Sequence, residues 1–212
     1  MALLINDSAI YLHVPKTGGT WFRHAMLQNG IKFEEIGEQH NHFPYILNLM
    51  PEGFYDDKFV FAFVRHPLTW YQSRWVFRTQ HGWHLEHPLD FNCASNNFLD
   101  FLDRVFAYKP TGWLTHLYGM YINQIPNDID FVGHTETLAN DCVKVLKMIG
   151  VKFDEEKFRN TPRINQSGLD GMPSGYWAKY TSEWLDKVIA TEQTVISRYY
   201  ANYNIDVGGF LR

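Results

Sequence analysis

Cys93 and Cys142 are the only cysteines in a chain of 212 residues. A disulfide framework needs more, and neither cysteine belongs to a paired metal-binding spacing. Basic charge is scarce as well. Lys and Arg number 19 against 23 Asp and Glu, a net charge of −4 with histidine neutral. Nucleic-acid binding calls for a broad basic surface that this composition does not supply, so an anion site has to be built locally. No apolar run reaches the roughly 18 residues of a membrane span. The opening MALLINDSAIYLHV has neither a basic start nor a long apolar segment. It predicts a strand in place of a signal peptide, and with it a cytoplasmic protein. Gly-Lys-Ser and Gly-Lys-Thr are also missing, which removes the hydroxyl that holds Mg²⁺ in nucleotide triphosphatase loops.

What is present points to a packed, ring-rich globule: 45% hydrophobic, 17% aromatic and only 20% charged residues. Such a composition excludes wholesale disorder, and the length suits one sizeable domain. Ala9 to Val14 alternates and predicts the first strand. A loop follows from Pro15 to Thr20, then a helix from Trp21 to Gln28 closed by Gly30. Phe33 to Ile36 predicts a weak second strand and His42 to Met50 a short helix. Lys58 to Val64 is almost continuously apolar, as in a strand buried on both faces of a parallel sheet. Pro67 is placed to begin a helix running to about Arg78, and Gln80 to Asn97 reads as loop. Helical patterns follow at Asn97 to Ala107 and Gly112 to Asn123. A short strand at Asp130 to His134 precedes an amphipathic helix from Glu136 to Ile149, ended by Gly150. NQSGLDGMPSGYW, residues 165–177, is a polar Gly-rich loop. The last helix starts at Thr181 or Ser182 and places Leu185, Val188, Ile189, Ile196, Tyr199 and Tyr203 on one face. This order predicts a single α/β domain over residues 1–212, with a central parallel sheet flanked by helices.

Two stretches carry chemistry. HVPKTGGTW, residues 13–21, lies between the first strand and the first helix. Free N–H groups at a helix start, together with the helix dipole, favour an anion there. Gly18 and Gly19 allow close backbone approach, Thr17 and Thr20 offer hydroxyls, and Lys16 adds a mobile charge. The alternative is a tight turn with a surface lysine. The second stretch is FAFVRHPLTWYQSRW. Arg65 leaves the C-terminal end of the buried strand, where ligands bind in open parallel sheets. Ser73 lies in the second turn of the following helix. A guanidinium fork and a hydroxyl suit a terminal phosphate; a structural ion pair and a plain helix serine are the competing readings.

Together, PKTGGTW and VRHPLTWYQSRW resemble the two cofactor motifs of the sulfotransferases that use 3′-phosphoadenosine 5′-phosphosulfate (PAPS). The resemblance implies that Lys16, Thr17, Gly18, Gly19, Thr20 and Trp21 form a P-loop-like loop for the 5′-phosphosulfate, and that Arg65 and Ser73 hold the 3′-phosphate. It implies a catalytic Lys16, which neutralises the leaving phosphate oxygen, and no required metal. FVGHTETL resembles the family's strand-to-helix segment. INQSGLDGMPSGYWAKYTSEWLDKV resembles the Asn-x-Ser loop and terminal helix of the carbohydrate branch. The Arg-Lys-Gly loop of the cytosolic small-molecule branch is not visible. EQHNHFPY, residues 38–45, is similar to the His-x-His segment of the uronyl 2-O-sulfotransferases. That similarity implies His42 as general base with His40 alongside. Glu38 and Glu35 remain candidates, because other branches use a carboxylate from this region.

The implied reaction moves a sulfuryl group to a hydroxyl of a carbohydrate or other small-molecule acceptor. It involves no nucleic acid and no membrane. A P-loop kinase and a non-catalytic nucleotide- or carbohydrate-binding module are the alternatives. HGWHLEH, residues 81–87, spaces three histidines as a helical metal site would. Gly82 and Pro88 argue against a regular helix there, leaving acceptor rim or plain surface as the preferred reading. Trp70, Trp75, Trp83, Trp113, Tyr118 and Tyr121 are expected mostly in the core, some lining an acceptor pocket.

Overall fold

Residues 2–37, 49–123, 129–162, 164 and 178–203 are described by the structure, a computed structural model. The first apolar stretch makes two strands where the sequence pattern suggested one. β1 (Ala2–Ile5) and β2 (Ala9–Leu12) pair antiparallel, with Ile5 opposite Ala9. Asn6 and Asp7 between them sit at φ 50° and 56°, and the Ser8 N–H closes the turn on the Ile5 carbonyl at 3.2 Å. Two consecutive left-handed residues match the right-handed twist of a hairpin, and Asn and Asp tolerate that conformation.

β3 (Phe33–Ile36) pairs antiparallel with β1. β4 (Phe59–Val64) and β5 (Phe131–His134) extend the sheet parallel to β2, giving the order β3-β1-β2-β4-β5. The α/β fold class therefore holds. The sheet is mixed, with the expected parallel part confined to β2, β4 and β5. The reason is the hairpin: so short a turn can join only antiparallel neighbours. β4 is buried on both faces from Val60 to Val64, as its apolar run requires.

Nine helices occur among the described residues. They are α1 (Gly19–Gln28), α2 (Pro67–His81), α3 (Pro88–Cys93), α4 (Phe98–Tyr108), α5 (Trp113–Tyr121), α6 (Leu138–Met148), α7 (Glu155–Arg159), α8 (Ser182–Thr191) and α9 (Gln193–Tyr199). A 3-10 turn, Thr135–Thr137, joins β5 to α6. Gln80–Asn97, expected as loop, contains α3, because Pro88 occupies the first helical position and does not break the helix. The expected single terminal helix is two, α8 and α9, divided at Glu192. Residues 42–48 of the expected short helix, and the 165–177 loop, lie outside the described residues. No helix among the described residues is long and apolar enough to cross a membrane.

The chain divides into two compact units, Met1–Arg65 with Tyr118–Asn165, and His66–Leu117 with Gln166–Arg212. The first holds the sheet. One sheet face presents Leu3, Ile5, Tyr11, Phe61 and Phe63 to Trp21, Phe22 and Met26 of α1, to Cys142 and Leu146 of α6 and to Phe158 of α7. Tyr11, Phe22, Phe61 and Phe63 meet at ring-centroid separations of 5.1–6.0 Å. Truncating one such ring costs about 3–5 kcal/mol.

The second unit is helical and is organised by two buried carboxylates. Asp90, fully buried, pairs with both Arg74 and Arg78 and accepts the His84 N–H at 3.1 Å. Burial pulls the Arg74 guanidinium down to about 10. Glu192 accepts from the Tyr71 hydroxyl, from the N–H groups of Leu114 and Thr115, and from the Thr115 hydroxyl. It thereby caps the start of α5 from a distant part of the chain. Burial still pushes its carboxyl up, despite those donors.

Candidate active site

The loop after β2 is shaped by two left-handed residues, Lys16 at φ 68° and Gly18 at φ 86°. A Cβ on Gly18 would lie 2.4 Å from the Leu138 side chain. A Cβ on Gly19 would lie 2.2 Å from the His13 ring and 2.6 Å from the Tyr11 hydroxyl. Gly18 is therefore required by its left-handed backbone, and Gly19 by its packing against His13 and Tyr11. α1 starts at Gly19 without a side-chain cap and without an acidic residue in its first turn. Among the described residues, the Gly19, Thr20 and Trp21 N–H groups have no acceptor. An uncapped helix start at the end of a sheet strand is an anion-binding arrangement.

Arg65 follows the last residue of β4, and its Nη1 donates to the Lys16 carbonyl at 3.3 Å. The two stretches singled out in the sequence thus meet through one hydrogen bond. The backbone of Arg65 is held in turn by Tyr118, whose hydroxyl accepts from the Arg65 N–H at 2.7 Å and donates to its carbonyl at 3.0 Å. The Thr135 hydroxyl donates to the Val64 carbonyl at 2.9 Å. Beyond β5, Asp141 accepts the His134 N–H and the Thr137 hydroxyl, each at 2.7 Å. Burial pushes the Asp141 carboxyl up, but hydrogen bonds from His134 and Thr137 outweigh it and leave the group below the ordinary carboxylate range. The site is thus built at the C-terminal ends of parallel strands, where open α/β sheets place their ligands.

A model of the sulfotransferase family matches residues 5–210. The chain belongs to the sulfotransferase family. Neither a curated protein nor a solved structure gives a match.

In this sulfotransferase the first unit brings Lys16, Gly18, Gly19, Thr20 and Arg65 together, with the Thr20 side chain exposed. Ser73 lies on α2 in the second unit and is 3% exposed. Two loop residues point their side chains inward. The Thr17 hydroxyl donates to the Val14 carbonyl at 2.8 Å, so its proton is already committed. The Trp21 indole N–H donates to the Thr161 carbonyl at 3.3 Å, and its ring meets Phe158 edge-on. What these two residues can offer an anion is their backbone.

His42, His40 and Glu38 lie outside the described residues. Glu35 pairs with Arg23 on the surface. His81 ends α2 stacked on Phe77, and His87 precedes α3. Among the described residues no three His, Cys, Asp or Glu side chains gather as a metal site would require. Sequence reasoning missed the structural roles of Thr135, Asp141 and Tyr118. The first two fall in or beside FVGHTETL, a segment the family resemblance had marked. Tyr118 had no signal beyond being one aromatic among many.

Proposed function

We propose that this sulfotransferase transfers a sulfuryl group from PAPS to a hydroxyl of a carbohydrate or other small-molecule acceptor, by in-line displacement with His42 as general base. The observation that carries the donor side is the uncapped start of α1 at the end of β2, with Lys16 in the loop and Arg65 hydrogen-bonded to it. PAPS, when bound, supplies an activated sulfuryl group on a phosphate leaving group. The N–H groups of Gly19, Thr20 and Trp21, with the Thr20 hydroxyl, bind the phosphosulfate oxygens. Lys16 offsets the negative charge that grows on the departing oxygen. Arg65 and Ser73 bind the 3′-phosphate. A guanidinium carries several donors in a planar fork, so a bond to Lys16 is compatible with a bidentate grip on phosphate. His42 accepts the proton of the acceptor hydroxyl. Catalysis then rests on positioning and electrostatics, as in phosphoryl transfer.

Thermal unfolding with ligands tests the donor. Adenosine 3′,5′-bisphosphate at a hundred times its dissociation constant adds about 2.7 kcal/mol of stability. It should do so without Mg²⁺, and far better than ATP. Equal or greater protection by Mg·ATP would overturn the reading in favour of a kinase.

A pH profile tests the base. A neutral imidazole is needed, so the wild-type rate falls as the pH drops and the base is protonated. With saturating donor, His42→Ala should lose that acid limb while His40→Ala and Glu38→Gln keep it. Loss of the limb in one of the neighbours instead moves the base to that neighbour.

A further inference from the structure

The end of β4 is held by hydroxyl groups from outside the sheet. Pairing with β5 stops at Val64, opposite His134. One residue further on, the N–H and carbonyl of Arg65 have no strand to pair with, and a buried backbone group left without a partner is costly. The Tyr118 phenol serves both, as acceptor at 2.7 Å and donor at 3.0 Å. The Thr135 hydroxyl takes the preceding carbonyl, that of Val64, at 2.9 Å. Tyr118 is 1% exposed, so water does not readily replace its hydroxyl. A residue fixed at both its N–H and its carbonyl has a fixed Cα–Cβ direction. From that anchor the Arg65 side chain reaches the Lys16 loop, where its Nη1 donates to the Lys16 carbonyl at 3.3 Å.

We propose that Tyr118 and Thr135 are positioning residues of the donor site: their hydroxyls clamp the Val64–Arg65 backbone so that the Arg65 guanidinium is preset for a phosphate of the donor. The inference rests on the donor reading above. Its physical content is preorganisation: a preset guanidinium loses less freedom on meeting the anion, which raises affinity without adding a contact. Neither hydroxyl touches the ligand in this scheme. Their whole effect passes through Arg65.

A double-mutant cycle separates this role from a purely structural one. The probe is adenosine 3′,5′-bisphosphate, titrated calorimetrically into wild type, Tyr118→Phe, Arg65→Ala and the double variant, all below their melting temperatures. Tyr118→Phe should weaken binding roughly five- to tenfold, as expected when a buried hydrogen bond that orients a ligand group is removed. In the Arg65→Ala background the same change should cost about twofold or less, because the group it orients is gone. In turnover assays Tyr118→Phe should raise the KM for PAPS while kcat holds. Thr135→Val should weaken binding in the same direction, and its own cycle with Arg65→Ala decides the matter if Tyr118→Phe does not fold. Wild-type affinity in both hydroxyl variants, or equal losses with and without Arg65, overturns the clamp and leaves the donor reading standing. An Arg65→Ala variant that binds the bisphosphate like wild type overturns both.

Discussion

A Lys16→Gly variant should melt at or above the wild-type temperature and turn over at a small fraction of the wild-type rate. The two halves of this result have separate causes. Lys16 sits at φ 68°, a conformation that costs a residue with a Cβ roughly 1–2 kcal/mol and costs glycine nothing. Glycine's freedom in the unfolded chain returns part of that gain, so the net change in stability is about zero or slightly favourable. The carbonyl that accepts from Arg65 belongs to the backbone and survives the substitution. The ammonium does not. Removing one group that stabilises charge in a transition state typically costs about 10²–10³-fold in rate. Lys16→Met is the companion variant. It keeps the strained backbone and the length of the side chain, so it separates loss of the ammonium from release of the backbone, and it should share the loss of rate. Calorimetric melting alongside steady-state rates at saturating donor checks both. Turnover within tenfold of wild type in either variant would remove Lys16 from the chemistry.

The largest expected effect on stability lies in the second unit. Asp90→Ala should cost about 3–5 kcal/mol, because it leaves two buried guanidinium groups without their shared counter-ion. For a chain of this size that lowers the melting temperature by on the order of 10 °C. Arg74 and Arg78 are 5% and 6% exposed and cannot turn to water without opening the packing around α2. Asp90→Asn should fall between wild type and Asp90→Ala, since an amide still accepts a hydrogen bond but no longer answers the charge. Differential scanning calorimetry measures the series. A loss below about 1 kcal/mol for Asp90→Ala would mean that the cluster behaves as a solvated surface pair.

Features with a local pattern were legible in the sequence. The apolar run of β4, Pro67 at the start of α2 and the glycine-rich loop after β2 each announce themselves within a few residues. The apolar residues on either side of Asn6-Asp7 fit one strand as well as two, so the hairpin there is settled only by the pairing of β1 with β2. Pro88 argues against a regular helix when taken as a breaker, although proline equally opens a helix. Other features leave no local trace. Asp90 is one acid in a polar stretch, and its value comes from arginines on another helix. Glu192 caps a helix that begins at Trp113, a pairing that no periodicity reveals. The Tyr118 hydroxyl finds Arg65 only because α5 and β4 are brought together in the folded chain. Even in the loop, the sequence located Gly18 and Gly19 but not the His13 and Tyr11 side chains that crowd Gly19.

The position of β3 at one end of the sheet has a consequence of a different kind. Among the described residues it is an outer strand, with backbone groups on one side that no neighbouring strand covers. Such a strand is a template on which a second molecule can add its own strand, the first step of aggregation. β3 is only four residues long, and its two central residues, Glu34 and Glu35, are exposed. Two copies approaching edge to edge would find only a very short ladder, with the Glu34 carboxylates at its middle and Glu35 already paired to Arg23. Where β2 and β4 spend their residues on burial, β3, short and charged at its middle, keeps the sheet from growing beyond its own chain.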